Sequence, residues 1–199
     1  MLIGREMGGD PTTYDLLLSA CLGVALAAAC GLRIFLPPLV AAVAVKAGLV
    51  TVAGAFSWLG TWPAIIAFGV ATLLELAAYS VPWLDNLLDA LGAPMAVAAG
   101  VFVSAAAMGD VQPWVRWSLA AVAGGAAAGG VHLATAIVRK LSSLTTGGLG
   151  NHAVAGAEAA GATAISAAAV LAPLVAGVGV MILLLLAWRS ILRRRPATP

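Results

Sequence analysis

Apolar positions run along this chain in long blocks, and polar residues mostly mark where a block stops. Residues 1–13 are polar and read as an aqueous tail. Apolar sequence then extends from Leu16 to Phe56, with Arg33 and Lys46 as its only charges. At about 1.5 Å per residue such a run overshoots a hydrocarbon layer of roughly 30 Å. Pro37 and Pro38 supply the interruption, because proline removes a backbone donor and restricts the residue before it. The pattern predicts a first helix over 15–36, with 38–50 as a short re-entrant or interfacial piece.

Trp58 and Trp62 suit the headgroup level, and a second helix is expected over 63–80, carrying Glu75. The stretch from Val81 to Asp89 is amphipathic and is expected to lie along the interface, with Asp85 and Asp89 on its wet side. Pro94 should open a third helix over 94–108. After a turn at 109–113, Trp114 and Trp117 anchor a fourth helix over 114–138. The glycine-rich stretch 141–151 reads as irregular. A fifth helix over 153–171 carries Glu158, Pro173 breaks it, and a sixth runs to about 192.

Composition turns this pattern into a class. The 199 residues are 62% hydrophobic and 9% charged, whereas a soluble domain is about a quarter charged. The expectation is an all-α polytopic membrane bundle of about six transmembrane helices, with the lipid bilayer as its solvent. A single transmembrane domain covers 14–192, followed by a basic tail at 193–199. Arg189, Arg193, Arg194 and Arg195 beside an apolar run point to the cytoplasmic side and not to nucleic acid. With six crossings the basic residues are best distributed when both termini are cytoplasmic. Cys21 and Cys30 read as packing residues, and the N-terminal region lacks the basic excess of a cleaved signal.

The halves 16–108 and 114–192 share an order of features. Gly31-Leu32-Arg33 parallels Gly130-Val131-His132, each half then has one glutamate-bearing helix, and Ala93-Pro94 parallels Ala172-Pro173. Three helices per half would make the repeat inverted, with a site near the midplane, a plan common to secondary transporters. Gly23 with Ala27, Gly100 with Ser104, Gly125 with Gly129 and Gly156 with Ala160 are small-residue pairs suited to close helix packing, within the chain or in a homo-oligomer.

The candidate chemistry is sparse. Glu75 and Glu158 lie in apolar helices, where a carboxylate must be protonated, paired or wet. Arg33 either snorkels as an anchor or binds an anionic group or Glu75. His132, inside the fourth helix, is either a packing or a titrating residue. Thr145, Thr146 and Asn151 flank a glycine-rich loop whose amides suit an anion. His132, His152 and Glu158 match no standard metal spacing, so no metal and no cofactor is expected. No nucleotide loop, nucleophile motif or dinucleotide fingerprint is present, and no enzyme activity is expected.

Gly31-Leu32-Arg33-Ile34-Phe35-Leu36-Pro37, the series Glu75, Pro82, Asp85, Asp89, and Thr145-Thr146-Gly147-Gly148-Leu149-Gly150-Asn151 followed by Glu158 together resemble a bacterial membrane family catalogued as a domain of unknown function. The resemblance covers roughly 16–175. It implies a small polytopic inner-membrane protein and brings no activity. The family pattern has an Asp-Lys pair where Tyr79-Ser80 stand, an arginine at Ala93, a lysine at Thr135 and an acid at Ala159. The glutamates are therefore left with Arg33, His132 and Arg139 as partners. The reading that follows is a proton- or cation-coupled carrier, or a channel, for a small solute, ion or proton. The alternatives are a membrane scaffold and a protein that handles a lipid phosphate.

Overall fold

The computed structural model describes residues 13–78, 82–109, 111–147 and 149–193, with backbone alone for 82–90 and 190–193. Among these residues the only regular elements are helices: α1 (Thr13–Leu32), α2 (Leu36–Lys46), a 3₁₀ helix (Gly54–Gly60), α3 (Trp62–Ala78), α4 (Pro82–Ala107), α5 (Pro113–Leu119), α6 (Gly125–Thr146), α7 (Asn151–Leu171) and α8 (Pro173–Arg193). A π turn over Ala120–Gly124 joins α5 to α6, making one 34-residue rod. Three helices are long and apolar enough to cross a membrane: Thr13–Leu32, Pro113–Thr146 and Asn151–Leu171. The 3₁₀ helix with α3, bent by 68°, makes a fourth if counted as one span.

Helix α1 is the centre of the bundle, and small residues are what put it there. From Ala25 to Gly31 every position is buried. A Cβ at Gly23 would meet Ser104 Oγ of α4 at 2.9 Å, and one at Gly31 would lie 2.4 Å from the Ala128 carbonyl oxygen of α6. Lipid tails give helices no hydrophobic reason to associate, so such backbone-to-backbone approach supplies the attraction instead. Gly100 on α4 meets Ala27 and Ala128, and Gly124 meets Ser104. A Cβ at Gly156 would meet nothing within 4 Å among the described residues, so the pair with Ala160 brings no close helix approach there.

These contacts also fix helix directions. Gly23 is level with Ser104 and Ala27 with Gly100, so α4 runs against α1. Ser104 is level with Gly124, and Gly31 with Val131, so α6 runs with α1. Cys21 meets Gly177 and Gly130 meets Leu184, so α8 also runs with α1. Phe68 packs on Phe102, level with the middle of α1, while Glu75 reaches Ile34 at its end; α3 therefore rises alongside α1. Helix α2 descends, and its Val45 meets Gly60 just before α3. Directions alternate through all seven rods, leaving Thr13 and Arg193 at opposite ends of the bundle.

Several expectations are corrected by this arrangement. Helix one stops at Leu32, and the double proline opens α2 instead of closing α1, since proline at the first helical turns forfeits only donors that have no partner there. Because α2 folds back, α1 begins and α8 ends at opposite ends of the bundle, and this arrangement lends no support to placing both termini on one side. Pro94 lies inside α4 and does not begin a helix; neighbouring helices can tolerate the lost bond in such surroundings. The predicted 81–89 interfacial helix is thus the first part of α4. The irregular stretch 141–151 shrinks to the turn 147–150, capped by Gly147 at φ 62°. The inverted repeat fails on direction: Gly31 and Gly130 lie on helices that run the same way, whereas Glu75 and Glu158 lie on α3 and α7, which run oppositely. No single operation relates both pairs.

Candidate functional site

The polar centre forms where α1 ends. Arg33 N–H completes the α1 ladder by donating to Ala29 O at 3.0 Å. The next two amides turn away from it, Ile34 N–H donating to Glu75 Oε1 at 2.8 Å and Phe35 N–H to Oε2 at 3.1 Å. Pro37 and Pro38 have no amide hydrogen to satisfy. Glu75 of α3 thus supplies the cap that the start of α2 lacks locally, and it sits at the positive end of that helix. The carboxylate is buried, and its carrier helix otherwise turns Leu73, Leu74 and Leu76 outward.

Arg33 points to the other side of the break. It is 1% exposed and donates from Nη2 to the carbonyl of Ala155, in the second turn of α7. The same nitrogen lies 3.7 Å from Glu158 Oε2. Arg139 of α6 grips that carboxylate with both prongs, Nε to Oε1 at 2.9 Å and Nη2 to Oε2. Glu158 is 4% exposed and Arg139 16%. Four elements therefore converge on residues 33–35: α3 through Glu75, α7 through Glu158, α6 through Arg139, and the α1–α2 break itself.

The sequence-derived candidates divide accordingly. Glu75, Glu158 and Arg33 are brought together. The expected pairing of Glu75 with a cation is replaced by backbone amides, because the broken helix leaves two donors that nothing closer can accept. His132 stands one helix face away, its ring against Gly92 of α4, where a Cβ would meet Cε1 at 2.8 Å. Thr145, Thr146 and Asn151 do not reach the cluster. The Thr145 hydroxyl bonds the Leu141 and Ser142 carbonyls. Thr146 Oγ1 bonds Ser142 O and accepts from Gly150 N–H, and Asn151 Nδ2 donates to Ser143 Oγ. They close the α6–α7 turn. Asp85 and Asp89 lie on α4, but their side chains fall outside the described residues, as do the 1–12 and 194–199 tails.

Arg139, a remaining partner of the glutamates in the sequence reading, is the one that grips Glu158, and α6 continues two turns past it. Two members went unlisted in that reading. The Ile34 and Phe35 amides have no side-chain signature at all. The cluster lies at the far end of the 20-residue α1 from Thr13, about 30 Å away. Among the described residues no group of three or more His, Cys, Asp or Glu is placed to hold a metal.

Set against known proteins, the chain matches a family model, described as a domain of unknown function, over residues 20–193. No curated protein and no solved structure matches the chain.

Proposed function

The chain belongs to that family, DUF4126, and from this premise we propose a cytoplasmic-membrane transport protein, a carrier or channel for a small solute, ion or proton. The observation that carries the reading is the broken α1–α2 rod held by a buried carboxylate, with a second carboxylate gripped by arginine beside it. Apolar packing would hold helices together at least as well, since buried ion pairs seldom outperform hydrophobic replacements in stability. Charges kept in such a place argue for use. Glu75 and Glu158 would take the proton or cation, Arg33 and Arg139 would set their charge state, and the described conformation is the closed one. Flux measured in liposomes tests this: Glu75→Gln and Glu158→Gln should each lower it at least tenfold. Rates equal to wild type for both, or wild-type vesicles no faster than protein-free ones, would overturn it.

The distribution of basic residues along the helix directions supports an orientation. Arg33, Arg139, Lys140 and Arg189 gather toward one end of the bundle, whereas Lys46 and Arg116 lie at the other. Basic residues favour the cytoplasm, so the α8 end faces inward and Thr13 faces outward.

A second reading, a membrane scaffold, is favoured by one specific fact: both carboxylates already have partners. It predicts that neutralising either glutamate lowers stability in detergent, with no solute moved by any variant.

A further inference from the structure

Two guanidinium groups converge on one carboxylate at the head of α7. Arg139 holds Glu158 in the two-pronged geometry by which arginine recognises carboxylates and phosphates generally. Nη2 of Arg33 lies 3.7 Å from the same Oε2. The three side chains are 1%, 4% and 16% exposed, and Arg139 is the outermost. Lys140 and His152, both exposed, stand near this end, so the approach to Arg139 is flanked by groups that attract or tolerate negative charge.

We propose that Arg33 and Arg139 form an oxyanion site for a phosphate or carboxylate group, and that Glu158 is its resident occupant, displaced when such a ligand enters. The carboxylate stands in for the ligand and keeps two arginines satisfied in a setting where unpaired charge is costly. In its role as cargo site this deepens the transport reading and rests on it; binding itself is separable from flux. The ligand is either a free anion from the aqueous phase or the phosphate of an anionic lipid, and both offer the same atoms to the same fork.

The test uses full-length protein in detergent, with thermal unfolding followed as inorganic phosphate replaces chloride at constant ionic strength. Glu158→Gln removes the carboxylate that both arginines face. It should unfold below wild type in chloride and recover in phosphate, with at least tenfold tighter phosphate binding than wild type. Adding Arg139→Gln should abolish that recovery. Glu158→Asp, which keeps the charge but withdraws it by one methylene, serves if Glu158→Gln fails to fold; it too should gain more from phosphate than wild type does. A response equal to wild type to both inorganic phosphate and phosphatidic acid, in whichever variant folds, overturns the proposal. Nanodiscs containing phosphatidic acid, compared with phosphatidylcholine alone, separate the sources: protection of Glu158→Gln by phosphatidic acid but not by inorganic phosphate assigns the site to a lipid, and protection by inorganic phosphate assigns it to a free anion. Binding without flux would remove the transport reading and leave the site; flux without binding would do the reverse.

Discussion

Glu75 and Ile34 are 41 positions apart in sequence and 2.8 Å apart in space, joined by a backbone amide donating to a buried carboxylate. Phe35 donates to the other oxygen of the same group. One side chain thereby closes the gap between two helices that would otherwise expose their ends to hydrocarbon.

Removing that closure should be costly. Glu75→Ala leaves two buried amides without an acceptor, at ~1–3 kcal/mol for each such group. Glu75→Gln keeps one good acceptor and should fall between wild type and alanine. Thermal unfolding in detergent orders the three, and an alanine variant as stable as wild type would contradict the cap.

Glycines that look alike in sequence should respond oppositely. Gly31→Ala drives a methyl against the Ala128 carbonyl oxygen, a backbone atom, so α1 and α6 must separate; overpacking of this kind costs about 1–3 kcal/mol. Gly156→Ala meets nothing within 4 Å and should be neutral or gain up to about 1 kcal/mol from better helix propensity. The same unfolding assay distinguishes them.

Gly92 and His132 should be coupled. The obstacle to a Cβ at Gly92 is the imidazole ring, a side chain that substitution can remove. Gly92→Ala should destabilise the wild type yet be tolerated in His132→Ala. A double-mutant cycle should show a coupling of about 0.5–3 kcal/mol, the range for residues in contact.

Opposite placement of the two ends can be read by labelling. With Cys21 and Cys30 replaced by alanine, Thr13→Cys should react with an impermeant maleimide in intact cells. Leu149→Cys, on the exposed α6–α7 turn, should react only after permeabilisation. Labelling of both from one side would contradict the alternating order of the rods.

Composition and the spacing of apolar runs were enough to read the membrane class, the positions of α3, α7 and α8, and the two glutamates worth following. What failed to show in sequence were events between distant segments. Pro37-Pro38 marks a break whether it ends one helix or starts the next; only the fold-back of α2 decides, and that depends on Glu75 arriving from α3. Pro94 looks like a boundary because a single chain gives no sign that α4 will continue through it. Arg139 stands beside Lys140 like a pair that closes a helix, but its partner lies across a turn whose geometry rests on Gly147. The apparent repeat arose from alanine- and glycine-rich helices resembling one another, and direction, which sequence does not display, is what separates them.

The π turn at Ala120–Gly124 carries a consequence for how this rod can change over evolutionary time. One surplus residue in a helix swings everything beyond it by about 100°. The wide turn absorbs such a residue, so deleting one there would restore ordinary winding while α6 keeps its face, with Arg139 still against Glu158 and the small residues against α1. A single-codon loss in this five-residue window should therefore be tolerated far better than the same loss farther along α6.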